Sequence, residues 1–129
     1  MFTKKLSCVL LIEDDPISCF IAKKVIISKD LCEDLHVCFS GEEALEYLSE
    51  KLKLNQKAPD LIFFDINLPG IDGYNFFSQF QKLEFDNIGD VKVCVLTNSS
   101  YQQDMEKFSM PGIYKYLLKP LTKSALENI

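Results

Sequence analysis

Hydrophobic and polar positions along the chain alternate between two regimes. Short runs dense in β-branched and aromatic residues occur at 6–12 ("LSCVLLI"), 35–39 ("LHVCF"), 60–64 ("DLIFF"), 91–96 ("VKVCVL") and 113–118 ("IYKYLL"). Between them the apolar residues recur with helical spacing. Over 16–28, Ile17, Phe20, Ile21 and Val25 follow an i, i+3, i+4, i+8 pattern. Over 41–53, Ala44, Leu45, Leu48 and Leu52, at i, i+1, i+4 and i+8, again gather on one helical face behind Ser40, with Glu43 at the capping-box position. Over 73–84 the stripe is Phe76, Phe77, Phe80 and Leu83. Segment 100–109 is more polar, and 122–129 reads as a short closing helix capped at Thr122. Five strands alternating with five helices predict an α/β fold, a parallel sheet covered on both faces. The runs at 9–12, 61–64 and 93–96 are almost continuously apolar, as strands buried on both faces must be. The polar stretches 54–59 ("LNQKAP") and 84–90 ("EFDNIGD") read as surface connections.

Composition narrows the function classes. The 129 residues suit one domain spanning 1–129, with no second core and no linker visible. No apolar run approaches the ~20 residues that a membrane span needs, and the Lys4-Lys5 start lacks a signal-peptide core, which favours the cytoplasm. Net charge is −5, and all 14 basic residues are lysine. Without arginine there is no bidentate reader of phosphate or guanine, so direct nucleic-acid binding is not expected. The five cysteines (Cys8, Cys19, Cys32, Cys38, Cys94) are odd in number and never spaced C-x-x-C, the pattern of reduced core thiols. His36, the single histidine, sits inside a strand-like run and reads as structural.

Ligands of an open parallel sheet bind beyond the carboxyl ends of its strands, so the residues that follow each run carry the chemistry. Glu13-Asp14-Asp15 follow the first, Asp65 and "INLPGIDG" the third, Thr97-Asn98-Ser99 the fourth, and Lys119-Pro120 the fifth. The second ends in "SGEEA", which reads as a plain helix cap. Asp15 reads as solvent-facing or as the cap of the helix opened by Pro16. Two carboxylates ~4 Å apart repel by on the order of 4 kcal/mol at an effective dielectric near ~20. Bringing Asp65 beside Glu13 and Asp14 therefore requires a proton, a cation or both. Hard oxygen ligands without histidine or thiolate favour Mg²⁺, or Mn²⁺, over zinc and copper. An ionised Asp65 beside such a cation, Lys119 and the Thr97 hydroxyl is able to attack phosphorus and form an acyl phosphate.

With these residues in order, the chain resembles the receiver domain of two-component response regulators, of the single-domain kind used in chemotaxis, over nearly its whole length. The resemblance implies a flavodoxin-like doubly wound sheet of strand order 2-1-3-4-5. It places Asp65 as the phospho-acceptor, Asp14 as a direct metal ligand, Glu13 as a ligand acting partly through water, and Asn67 as a backbone-carbonyl contact to the metal. Thr97 corresponds to the switch hydroxyl, Tyr116 to the switch aromatic, and Lys119 to the family's lysine, whose bond to Pro120 is cis in typical members. Gly73 ends the turn before the third helix. Asn98 departs from the small residue usual after the threonine. Asn67 and Ser99 occupy the two variable positions that tune dephosphorylation. The implied donor is a sensor histidine kinase or a histidine phosphotransfer protein, and the implied recipient is a protein partner unless the chain is part of a longer regulator.

The sharpest rival is an enzyme, a phosphatase of the haloacid dehalogenase type. "FFDIN", "VCVLTNS" and Lys119 resemble its nucleophile strand, second motif and lysine. That family needs metal-binding acids after the lysine, where only a lone Glu127 stands; here the acidic pair precedes the nucleophile. A flavodoxin-like FMN protein needs a hydroxyl- and amide-rich phosphate loop after the first strand, and three carboxylates there repel phosphate. The expectation is a signalling domain that promotes only its own phosphorylation and dephosphorylation, with Tyr101, Met105 and Tyr114 on a partner-facing surface.

Overall fold

The computed structural model describes residues 5–68, 70–97, 113–127 and 129. Its elements, in chain order, are β1 (Leu6–Ile12), α1 (Pro16–Ser28), β2 (Cys32–Cys38), α2 (Gly41–Lys53), β3 (Leu61–Asp65) and α3 (Gly73–Lys82). A 3₁₀ turn (Ile88–Asp90), β4 (Lys92–Thr97), β5 (Ile113–Leu118) and α4 (Lys123–Glu127) complete it. The five strands form one parallel sheet in the order β2-β1-β3-β4-β5, as expected. The helix expected over 100–109 lies outside the described residues, as do Asn98, Ser99, Tyr101 and Met105.

Strand alternation divides the interior in two. Leu10, Ile12, Ile62 and Phe64 face α2 and α3, where they meet Ala44, Leu48, Phe76 and Phe80. Val9, Leu11, Leu61 and Phe63 face the other way, onto Cys19, Ala22 and Ile26 of α1 and Leu126 of α4. Side chains on successive strand residues point to opposite faces, so near-continuous apolar runs supply both layers. Burial of each large apolar side chain contributes roughly 1.5–3 kcal/mol. The phenylalanines of α3 lock onto β3: Phe76 and Phe64 rings lie 4.9 Å apart, and Phe77 meets Phe76 edge-on at 5.7 Å.

Three local expectations change. Strand β2 begins at Cys32, three residues before the apolar run, because an edge strand tolerates the exposed Glu33 and Asp34. The face of α1 is rotated from the spacing read in the sequence: Cys19, Ala22 and Ile26 are buried, whereas Ile17 and Phe20 are 71% and 60% exposed. This helix is apolar nearly all round, so periodicity does not select a face; the small Cys19 and Ala22 let it close onto the sheet. The connection at 84–90 is also less superficial than its polarity suggests, since Phe85 is buried. His36 is structural as expected, its ring stacked on Tyr47 with centroids 3.8 Å apart. All five cysteines are free thiols, with only Cys32 half-buried rather than buried. No helix among the described residues is long and apolar enough to cross a membrane.

Candidate functional site at the sheet edge

The parallel register delivers the site. Ile12 of β1 pairs with Phe64 of β3, so the next residues, Glu13 and Asp65, leave the sheet side by side. Glu13 is pinned by its own amide, which donates to the Cys38 carbonyl at 3.0 Å and extends the β1–β2 ladder one step past the strand. Asp65 pairs with Leu96, and Thr97 ends β4 one residue further on. The carbonyl of Thr97 accepts the Lys119 amide at 2.7 Å, fixing the chain after β5, where the Lys119–Pro120 peptide is cis.

Glu13, Asp14 and Asp65 each offer a carboxylate oxygen, all within 4.8 Å of one another. Glu13 and Asp65 are 1% and 2% exposed, whereas Asp14 faces solvent. The Lys119 ammonium lies 2.6 Å from Glu13 Oε1 and 2.9 Å from Asp65 Oδ2, bridging the two acids. Its bond to Asp65 is a directed hydrogen bond. Toward Glu13 Oε1 it is a close ion contact within the same bridge. Glu13 Oε2 accepts the Asp15 amide at 3.2 Å, and Asp65 Oδ1 accepts the Asn67 amide at 3.0 Å.

Burial raises the Glu13 carboxyl to about 7, helped by its contact with Asp65 and opposed by Lys119. At neutral pH the cluster thus stands at the point where a proton or a cation is required. Burial also works against the Lys119 charge, but Glu13 and Asp65 outweigh it and hold the ammonium above its ordinary value. An oxygen-only donor set of three carboxylates, with the Asp14 ligand open to solvent, fits a hard divalent cation. Beside the Glu13–Lys119 pair opens a cavity of about 300 Å³, walled by Ser18, Ile21 and Ala22 of α1 and by Pro120.

The structure thus brings together Glu13, Asp14, Asp65, Asn67 and Lys119. Thr97 is fully buried at the neighbouring strand end. Tyr116 is half-buried on the edge strand β5 opposite Val95, outside the acidic cluster. Asp15 is not part of the cluster: it caps α1, its carboxylate accepting the Ser18 amide at 2.8 Å, with Pro16 in the first turn.

One participant went unread in the sequence. Glu42, in what passed for a plain cap, accepts the Ile71 amide at 3.2 Å and so holds the loop that follows Asp65. Nothing in "SGEEA" signals this, because the partner lies 29 residues on. Glu43 behaves nearly as its position suggests, though its carboxylate reaches back to the Phe39 amide rather than to that of Ser40.

A model of the response regulator receiver domain matches residues 9–129. The transcriptional regulatory protein CitT of Halalkalibacterium halodurans is 31% identical over 124 residues, 96% of this chain and 50% of that protein. The two-component response regulator ARR14 of Arabidopsis thaliana is 27% identical over 94% of this chain and 29% of its own length. The chain therefore spans half or less of these two relatives. Among solved structures, a two-component response regulator from Cytophaga hutchinsonii superposes with a TM-score of 0.84 at 32% identity, covering 97% of this chain and 94% of that one. One from Legionella pneumophila gives 0.77 at 27% identity, covering 95% and 93%. Strand order, the acidic edge with its lysine and these matches agree: the chain belongs to the response regulator receiver domain family of two-component signalling.

Proposed function

We propose that Asp65 accepts a phosphoryl group, with Mg²⁺ held by Glu13, Asp14, Asp65 and the backbone of Asn67. The observation that carries this reading is the Asp65 carboxylate, buried within 4.8 Å of two further acids while bonded to Lys119. In the transfer, an Asp65 oxygen forms a bond to phosphorus as the bond from phosphorus to a donor imidazole nitrogen breaks. The electron pair returns to that nitrogen, which takes up a proton. Lys119 offsets charge on the phosphoryl oxygens, and a bound Mg²⁺ supplies further neutralisation of the same charge. The donor is a phosphohistidine on a sensor kinase or phosphotransfer protein, and the compartment is the cytoplasm, where free thiols persist. Thr97 and Tyr116 act as the switch pair, drawing inward toward the new phosphoryl group and shifting a pre-existing equilibrium of the surface beside β5. A protein partner reads that shift. The domain promotes only its own phosphorylation and dephosphorylation.

The test is incubation with Mg²⁺ and acetyl phosphate, followed by intact-mass measurement. One hydroxylamine-labile phosphoryl group is expected on the wild type and none on Asp65→Asn. A gain that survives Asp65→Asn removes Asp65 from its role, and sustained turnover of phosphate monoesters replaces this reading with a phosphatase.

A further inference from the structure

The connection over 66–72, of which residue 69 lies outside the described residues, joins the acceptor residue to α3 and carries Asn67. Its ends are secured locally. The Asn67 and Leu68 amides donate to Asp65 Oδ1 and to the Asp65 carbonyl, at 3.0 and 3.3 Å. At the far end Asp72 caps α3 through the Asn75 amide at 2.8 Å. The middle is held by another element: Glu42, in the first turn of α2, accepts the Ile71 amide. Backbone and side chain approach closely there. A Cβ on Gly70, whose φ is +84°, would stand 2.7 Å from Glu42 Oε2, and a Cβ on Gly41 would meet Ile71 Cγ2.

Because the Asn67 amide binds the acceptor carboxylate itself, loop position and Asp65 orientation form one linked system. We propose that Glu42 is a positioning residue for the acceptor site, a strut from α2 that keeps the Asn67 backbone and the Asp65 carboxylate in register for the cation. This inference rests on the reading of Asp65 as a phospho-acceptor. What the strut requires is an acceptor oxygen at glutamate length; its charge is secondary. Glu42 is exposed, so its replacement leaves the two cores intact.

Three variants separate reach from charge. Glu42→Gln keeps the length and the acceptor oxygen, Glu42→Asp keeps the charge but falls a methylene short, and Glu42→Ala loses both. Three readouts apply: hydrogen exchange of the Ile71 amide in metal-free protein, Mg²⁺ affinity by calorimetry, and the phosphorylation rate with acetyl phosphate. Glu42→Ala and Glu42→Asp are expected to lose Ile71 protection, weaken Mg²⁺ binding about 3- to 10-fold and slow phosphorylation at limiting Mg²⁺, the rate recovering at saturation; that weakening corresponds to about 0.6–1.4 kcal/mol. Glu42→Gln should stay within about twofold of wild type, well under the tenfold that 1.4 kcal/mol represents. Wild-type behaviour in Glu42→Ala overturns the strut. So does a Glu42→Gln defect as large as that of Glu42→Ala, which would make the effect one of charge. If Glu42→Ala fails to fold, the Asp and Gln variants decide in the same way. A wild-type chain that neither binds Mg²⁺ nor gains a phosphoryl group overturns the acceptor reading, and this inference with it.

Discussion

At the residue scale, Glu13 is a buried carboxyl held between Lys119 and Asp65. Its folded carboxyl is raised to about 7 from an ordinary 4.5, chiefly by burial. Between those values the folded chain keeps a proton that the unfolded chain has released, so this group's contribution to stability falls as pH rises through the window and is level above it. Metal-free Glu13→Gln should therefore lose that pH dependence and exceed wild type at pH 8 by on the order of 1 kcal/mol, as urea denaturation at several pH values would show. A second strained residue is Glu84, which follows α3 with φ +56°. A left-handed conformation is costly for a residue with a Cβ, and glycine adopts it freely. Glu84→Gly should raise stability by about 0.5–1 kcal/mol, its greater unfolded-state entropy offsetting part of the gain. A lower denaturation midpoint for that variant would show that the Glu84 side chain matters more than its backbone.

At the scale of elements, α1 illustrates how little apolar spacing says when a helix is apolar on most sides. Ile26 is fully buried against the sheet, while Ile17 and Phe20 stand in solvent. Ile26→Ala should cost about 2–5 kcal/mol, because it removes packed methyl groups and leaves a cavity. Ile17→Ser and Phe20→Ser should each fall within about 0.5 kcal/mol of wild type. Urea unfolding of the three variants checks the orientation, and the reverse ranking would mean that the face inferred from spacing is the packed one. The α2 helix is the opposite case: Ala44 and Leu48 are buried where the period placed them, and Glu42 on the exposed side is left to reach the loop after Asp65.

At the scale of the whole molecule, fold stability and the candidate cation site are one equilibrium. Three acids converge on one edge of a chain whose net charge is already −5, so a divalent cation that binds only the folded state stabilises the whole domain. At a Mg²⁺ concentration ten times its dissociation constant the gain is about 1.4 kcal/mol, roughly 4–7 °C in melting temperature. Protons compete with the cation for Glu13, so the Mg²⁺-induced shift should be larger at pH 7.5 than at pH 5.5 and level above the Glu13 value of about 7. Differential scanning calorimetry with and without chelator measures both. A shift equal at the two pH values would mean that the cation does not displace the Glu13 proton.

Read alone, the amino-acid sequence determined the alternation of strands and helices, the central buried strands and the candidate residues Glu13, Asp14, Asp65, Thr97 and Lys119. These depend on local period and on which residues follow each strand, and parallel α/β architecture itself sends strand ends to one edge. It did not determine which side of α1 packs, where β2 begins or what holds the loop after Asp65. Those depend on which surface of one element meets another, and residues far apart in the chain decide that together. Ile26 is core because Cys19 and Ala22 are small enough to bring the helix down. Glu42 reaches Ile71 because α2 and the loop after β3 are neighbours only once the sheet has formed. The raised proton affinity of Glu13 is likewise a tertiary property: an ordinary carboxyl in the unfolded chain, it is set apart by burial and by Asp65, fifty-two residues away.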